Sequence, residues 1–171
     1  EKMENQSHFF KEGISRSMLT PAGPDHAQIA AASGILDYFD AVYNHHFDVE
    51  ATPAKRNKAL NKLFQDHEKE LLKHLLDFLR SRDDIQIIGP DSTEHRAPIV
   101  SIVPLHKDLK RVYASLTGQK LMLGMGNFYA HRPLMDMHIP REPGVLRISF
   151  LHYTGMEEID QLITGLKVAL E

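Results

Sequence analysis

Apolar positions along this chain change period several times, and each change marks an element. After the turn Pro21-Ala22-Gly23-Pro24-Asp25, with Asp25 as N-cap, Ile29, Ala32, Leu36, Phe39 and Tyr43 fall on one helical stripe. Thr52 as N-cap and Pro53 at the first helical position open a long helix to about Arg82. Leu60, Phe64, His67, Leu71, Leu75 and Phe78 form its predicted buried stripe. Ile85 to Ile88 reads as a short strand ending at Gly89-Pro90, and Pro98 to Val103 as an apolar strand closed by Pro104. Leu109, Val112, Tyr113 and Leu116 predict a helix stopping at Gly118, and Leu121-Met122-Leu123 a strand broken by Gly124 and Gly126. A short helix through Leu134 follows, then a loop from Pro140 to Pro143.

The last segment is the most sharply patterned. Leu146, Ile148 and Phe150 alternate with Val145, Arg147 and Ser149, the period of a strand with two different faces. Thr154 and Glu157 then have capping-box spacing, and Ile159, Leu162, Ile163, Leu166 and Leu170 continue at helical spacing. The order of elements predicts an α+β fold. It is a two-layer domain with an about four-stranded, mostly antiparallel sheet and helices packed on one face. Residues 1–25 read as an irregular lead-in, and 26–171 as the domain itself. On the final strand Arg147 points away from its apolar neighbours, toward the face that the helices leave open.

Composition narrows the function classes. The 171 residues suffice for a real core, and 42% apolar content is ordinary for a globular protein. A net charge of -3 without a long basic run gives no electrostatic footprint for nucleic acid. No apolar run reaches bilayer length and no signal peptide is visible, so a cytoplasmic protein is expected. With zero cysteines, this chain has no disulfide, thiolate metal site or cysteine nucleophile. The eleven histidines have no ligand spacing of note. His67-Glu68 lacks a second histidine at position 71, and His67 and His74 lie two turns apart. They read as solvated or core residues. The Met122, Met125, Met135 and Met137 group reads as core filler, and no metal is expected.

Three stretches resemble one family. Gly144 to Asp160 is similar to the C-terminal end of class V aminotransferases, the pyridoxal-phosphate (PLP) enzymes that include cysteine desulfurases and selenocysteine lyases. Their ending reads much like "V-x-R-x-S-x-x-H-Y-N-T-x-E-E-I-D". Gly126-Asn127-Phe128-Tyr129-Ala130-His131-Arg132-Pro133-Leu134-Met135 resembles the family loop "R-x-G-x-x-C-x-x-P-L-M", with Ala130 where the desulfurase cysteine falls. A desulfurase-like group carries "G-N-F-Y-A" at that place. Leu19 to His26 resembles the family's "G-T-P-N" segment before a helix.

The resemblance implies roles. Arg147 would bind the substrate α-carboxylate, with Asn127 as a second substrate-binding residue, and Gly23 would contact the PLP phosphate of the neighbouring subunit through its main chain. At positions 23 and 25 the chain departs from the family pattern, with Gly23 for threonine and Asp25 for asparagine. The family's Schiff-base lysine lies in "S-x-H-K", ahead of the "G-T-P-N" segment, and no lysine here has that context. The resemblance therefore implies the C-terminal segment of a homodimeric PLP enzyme acting on an amino acid. Its larger N-terminal PLP domain would lie outside this chain, which would carry no catalytic residue, bind no PLP covalently and be inactive alone. The polar lead before Pro21, with isolated apolar pairs, fits a segment cut from a larger body. The residues themselves leave open a second reading, a stand-alone α+β module for a small ligand or a protein partner.

Overall fold

The computed structural model describes residues 25–94 and 96–171. The chain forms two compact units, Glu1–Leu60 and Asn61–Glu171. Five helices and four strands lie among the described residues: α1 (His26–His46), α2 (Pro53–Arg80), β1 (Ile85–Ile88), β2 (Ile99–Pro104), α3 (Leu109–Gly118), β3 (Gly124–Gly126), α4 (His131–Asp136), β4 (Val145–Ser149) and α5 (Met156–Leu170). None of these helices is long and apolar enough to cross a membrane.

In the first unit, Asp25 caps α1 as expected, its carboxylate accepting from the N–H groups of Ala27 and Gln28. The expected apolar stripe is not buried here. Only Tyr43 is, while Ile29 and Leu36 are 61% and 65% exposed. Tyr43 anchors the turn after the helix by donating its hydroxyl to the Val49 carbonyl at 3.0 Å. The Arg56 guanidinium lies 4.9 Å over the Tyr43 ring and pairs with Asp40 at 2.8 Å.

The second unit is a four-stranded antiparallel sheet in the order β1-β2-β4-β3. This is the expected α+β architecture. Val100 and Ile102 of β2 stand opposite Ile148 and Leu146 of β4. All four side chains turn to one face and meet Leu71, Leu72, Leu75, Leu76 and Leu79 of α2, with the apolar stripes of α3 and α5. Each such leucine contributes roughly 1.5–3 kcal/mol of burial.

Three local expectations are corrected. The buried face of α2 is a double row that includes Leu72, Leu76 and Leu79, rotated from the stripe through Phe64, His67 and Phe78. Phe64 and His67 instead meet the loop after β4, the Phe64 ring stacking on His152 at 3.9 Å and His67 Nε2 bonding the Thr154 carbonyl at 2.8 Å. A single helix longer than the sheet it covers gives different faces to the sheet and to a loop. The third strand is Gly124–Gly126, not residues 121–123. Lys120 at φ 63° reverses the chain after α3, Leu121 N–H closes onto the Leu116 carbonyl, and Met122 is left 98% exposed. Finally, α5 starts one residue later than the Thr154 cap predicts. The Thr154 hydroxyl accepts from Leu151 N–H inside the preceding turn, so the Glu158 carboxylate takes the Gly155 N–H at 2.8 Å.

Between α2 and β1, Arg82 forks onto Asp84 with bonds of 2.7 and 2.5 Å, while the Asp84 carbonyl holds Leu105 N–H. The Arg82 hydrogen bond keeps the Asp84 carboxyl below its usual range. The carboxylate form is thus favoured by folding, and its stabilisation is present above the unfolded carboxyl value, about 3.9. It is lost as pH falls through the depressed folded value. Asp84→Asn should therefore flatten the acid limb of the stability–pH curve, measured by urea unfolding between pH 3 and 7. By the same measurement at neutral pH, Leu76→Ala should lose about 2–5 kcal/mol, as expected for a buried leucine. Met122→Ala should change stability by less than about 0.5 kcal/mol.

Candidate functional site

The sheet has a second face, away from α2, α3 and α5, and β4 puts Arg147 at its centre. Strand alternation requires this, because Leu146 and Ile148 are both committed to the helix side. Arg147 stands opposite Ser101 of β2 and Gly124 of β3, so three strands form the floor around it. Its guanidinium carbon lies 3.8 Å from the centre of the Phe128 ring. This cation–π contact, worth about 0.5–2 kcal/mol, fixes the plane of the guanidinium. Nε is enclosed without a hydrogen-bond partner, and no carboxylate among the described residues pairs with this arginine. A half-buried cation with an oriented, unneutralised donor fork is chemically suited to a planar anion such as a carboxylate.

Two glycines shape this arrangement. A Cβ on Gly124 would come within 2.7 Å of Phe128 Cζ, so glycine is what lets the ring lie over the strand beside Arg147. Gly144 sits at φ 78°, and a Cβ there would run into the Gly126 main chain, which this turn crosses on entering β4. Beyond Gly126 comes a loop of unusual backbone. Phe128 and Tyr129 are both left-handed, at φ 48° and 62°, a conformation costing on the order of 1–3 kcal/mol per residue. Asn127 holds it, Oδ1 accepting from Tyr129 N–H at 3.0 Å and the carbonyl from Ala130 N–H at 2.8 Å. Below it Leu134, Ile139 and Val145, with Ile88, Val103, Phe128 and Ala130, make a small apolar cluster on this face.

Of the predicted site residues, Arg147 and Asn127 come to the same end of the domain, linked through Phe128. Gly23 lies outside the described residues. Sequence reasoning missed Phe128 and read Gly124 only as a strand breaker. The same-face alternation of β2 was the signal available for Ser101. No described group of three His, Asp or Glu residues could hold a metal ion. Every described lysine is exposed, and none lies in an enclosed pocket.

The sequence pattern of one family, Aminotransferase class-V, matches residues 57–162, from early α2 into α5. The chain belongs to the class-V aminotransferase family. This class-V chain is 31% identical over 112 residues to a probable cysteine desulfurase 2 of Mycobacterium leprae, covering 64% of the chain and 26% of that protein. It is 29% identical over 108 residues to the aminotransferase-like protein FGM3 of Gibberella zeae, covering 61% and 27%. It thus spans about a quarter of the length of these curated relatives. Among solved structures, the cysteine desulfurase CsdA from Escherichia coli overlays 89% of the class-V chain and 32% of its own, with TM-score 0.64 and 19% identity. The cysteine desulfurase from Thermococcus onnurineus NA1 overlays 68% and 28%, at 0.58 and 20%. These likenesses show a shared fold.

Gly144→Ala should destabilise the domain by roughly 1–3 kcal/mol, because the left-handed backbone and the Gly126 contact both resist a side chain. Gly34→Ala meets nothing within 4 Å in helix α1 and should be neutral or stabilising. Thermal unfolding of the two variants checks the contrast.

Proposed function

We propose that this chain is the C-terminal, substrate-carboxylate-binding part of a homodimeric, PLP-dependent enzyme that acts on an amino acid. One observation carries the reading. Arg147 is held on the sheet face opposite α2, α3 and α5, with its guanidinium over Phe128, Nε enclosed and no carboxylate partner among the described residues. The exposed setting of every described lysine supports placing PLP on another part of the enzyme, so the chain alone is inactive. PLP supplies an electron sink at the substrate Cα when bound. This chain's share is to grip and orient the carboxylate. Ala130 at the family's cysteine position supports assignment to the "G-N-F-Y-A" group, and no thiolate of this chain can attack a substrate sulfur. The homodimer and the Gly23 phosphate contact belong to the same proposal through the family resemblance, and a cytoplasmic location is proposed with them.

The test is Arg147→Lys in the enzyme that contains this segment. Lysine keeps the charge and loses the planar fork, so amino-acid affinity should fall about ten- to a hundredfold, by the usual worth of charged hydrogen bonds of roughly 1.5–3 kcal/mol. The melting temperature should stay within a degree or two. Unchanged affinity would remove Arg147 from the site and favour a stand-alone module. In parallel, the isolated chain incubated with PLP and borohydride should show no single-lysine adduct by mass.

A further inference from the structure

We infer that α1 is the docking element by which this segment is built into the rest of its enzyme, enclosed there by apolar surface of the larger body. This rests on the chain being part of a longer class-V protein, and not on the role of Arg147. From Ala27 to Leu36 the helix carries no Asp, Glu, Lys or Arg, and every residue of that run is exposed. Ile29, Ile35 and Leu36 are 61%, 56% and 65% exposed. They do not form one stripe. Ile29 and Leu36, two turns apart, lie on one side, and Ile35 stands roughly 100° round the helix from Leu36, with Ala30, Ala31 and Ala32 filling positions between. A helix that is apolar round nearly its whole circumference belongs inside a large protein or a bilayer. α1 is not long and apolar enough to cross a membrane, so its cover is protein.

The first unit also offers a seat. Beside the helix, Leu36, Phe39, Ala51, Pro53, Ala54 and Leu60 line an open groove of about 790 Å³. Its charged members, Arg56 and Asp40, pair with each other at 2.8 Å, so what remains for an occupant is apolar surface. The extent of that surface selects the occupant. A second copy of the chain, docked across a two-fold axis, would cover one patch and leave the other side of the helix bare. The chain spans 27% and 26% of its curated relatives, so in a protein of that length the greater part lies outside it and can close over α1 from more than one side.

The experiment uses the enzyme containing this segment. Hydroxyl-radical labelling, read by mass spectrometry, compares side-chain oxidation in the native and the urea-unfolded enzyme. Oxidation of Ile29, Ile35 and Leu36 should be lost in the native enzyme and appear only on unfolding. In the same enzyme Ile29→Gln and Ile35→Gln should each lower the melting temperature by several degrees. Glutamine is a better helix former than isoleucine, so on an exposed helix these changes would be neutral or stabilising, and the sign separates docking from helix propensity. Labelling of the three residues in the native enzyme, or melting temperatures that hold or rise, would overturn the inference and leave the carboxylate reading of Arg147 standing. Protection of α1 together with normal substrate affinity for Arg147→Lys would keep the docking and remove the carboxylate reading. For the chain alone, sedimentation should show no dimer that Ile35→Gln abolishes. Such a dimer would assign the helix to a second copy and overturn the inference.

Discussion

The register of β4 between β2 and β3 governs the rest of this domain. Leu146 and Ile148 pair with Ile102 and Val100 on the helix-covered face, where the helix leucines close over them. A slip of one residue would drive the Arg147 guanidinium into that core and lift two apolar side chains out of it. An unpaired buried charge is among the most costly defects a small domain can carry. The helix layer therefore holds a cation on the other face without touching it.

Once Arg147 is placed, its surroundings decide what it can do. The three-residue strand β3 contributes backbone pairing and, at Gly124, an absence of side chain. That absence admits the Phe128 ring, and the ring orients the guanidinium while leaving no counter-charge nearby. The left-handed residues after Gly126 would not persist on local preference alone. Asn127, the crossing of Gly144 over Gly126 and the small cluster around Leu134 and Ile139 together hold them. The site is thus made of one charge and several devices that deny it a protein partner.

On the remote side of the domain, two histidines do structural work that their number in the sequence might mislead one about. His67 bonds the Thr154 carbonyl, and His74 meets Asp160 at 2.7 Å in the first turns of α5. His67 ties the turn before α5 to α2, and His74 ties α5 itself to it. Phe64 and His152 stack beside them. Phe64 and His67 of α2 thereby serve the β4–α5 connection, while Leu71, Leu72, Leu75, Leu76 and Leu79 serve the sheet.

The sequence by itself determined every element but the third strand, and the sidedness of Arg147, because strand alternation and helical spacing are local properties carried by each residue's hydrophobicity. The α+β class, the positions of the long helices, the cap at Asp25 and the family motifs were all legible in that way. Tertiary structure alone decided which row of α2 is buried, since Leu72, Leu76 and Leu79 are no more apolar than Phe64 and Phe78. It decided that Gly124–Gly126 forms the third strand, because β4 offers pairing partners there and the chain reversal at Lys120 removes residues 121–123. It moved the α5 cap from Thr154 to Gly155 by engaging the Thr154 hydroxyl in the preceding turn. Above all, it brought Phe128 onto Arg147. Nineteen positions separate the two in sequence, and only a sheet that sets β3 beside β4 makes them neighbours.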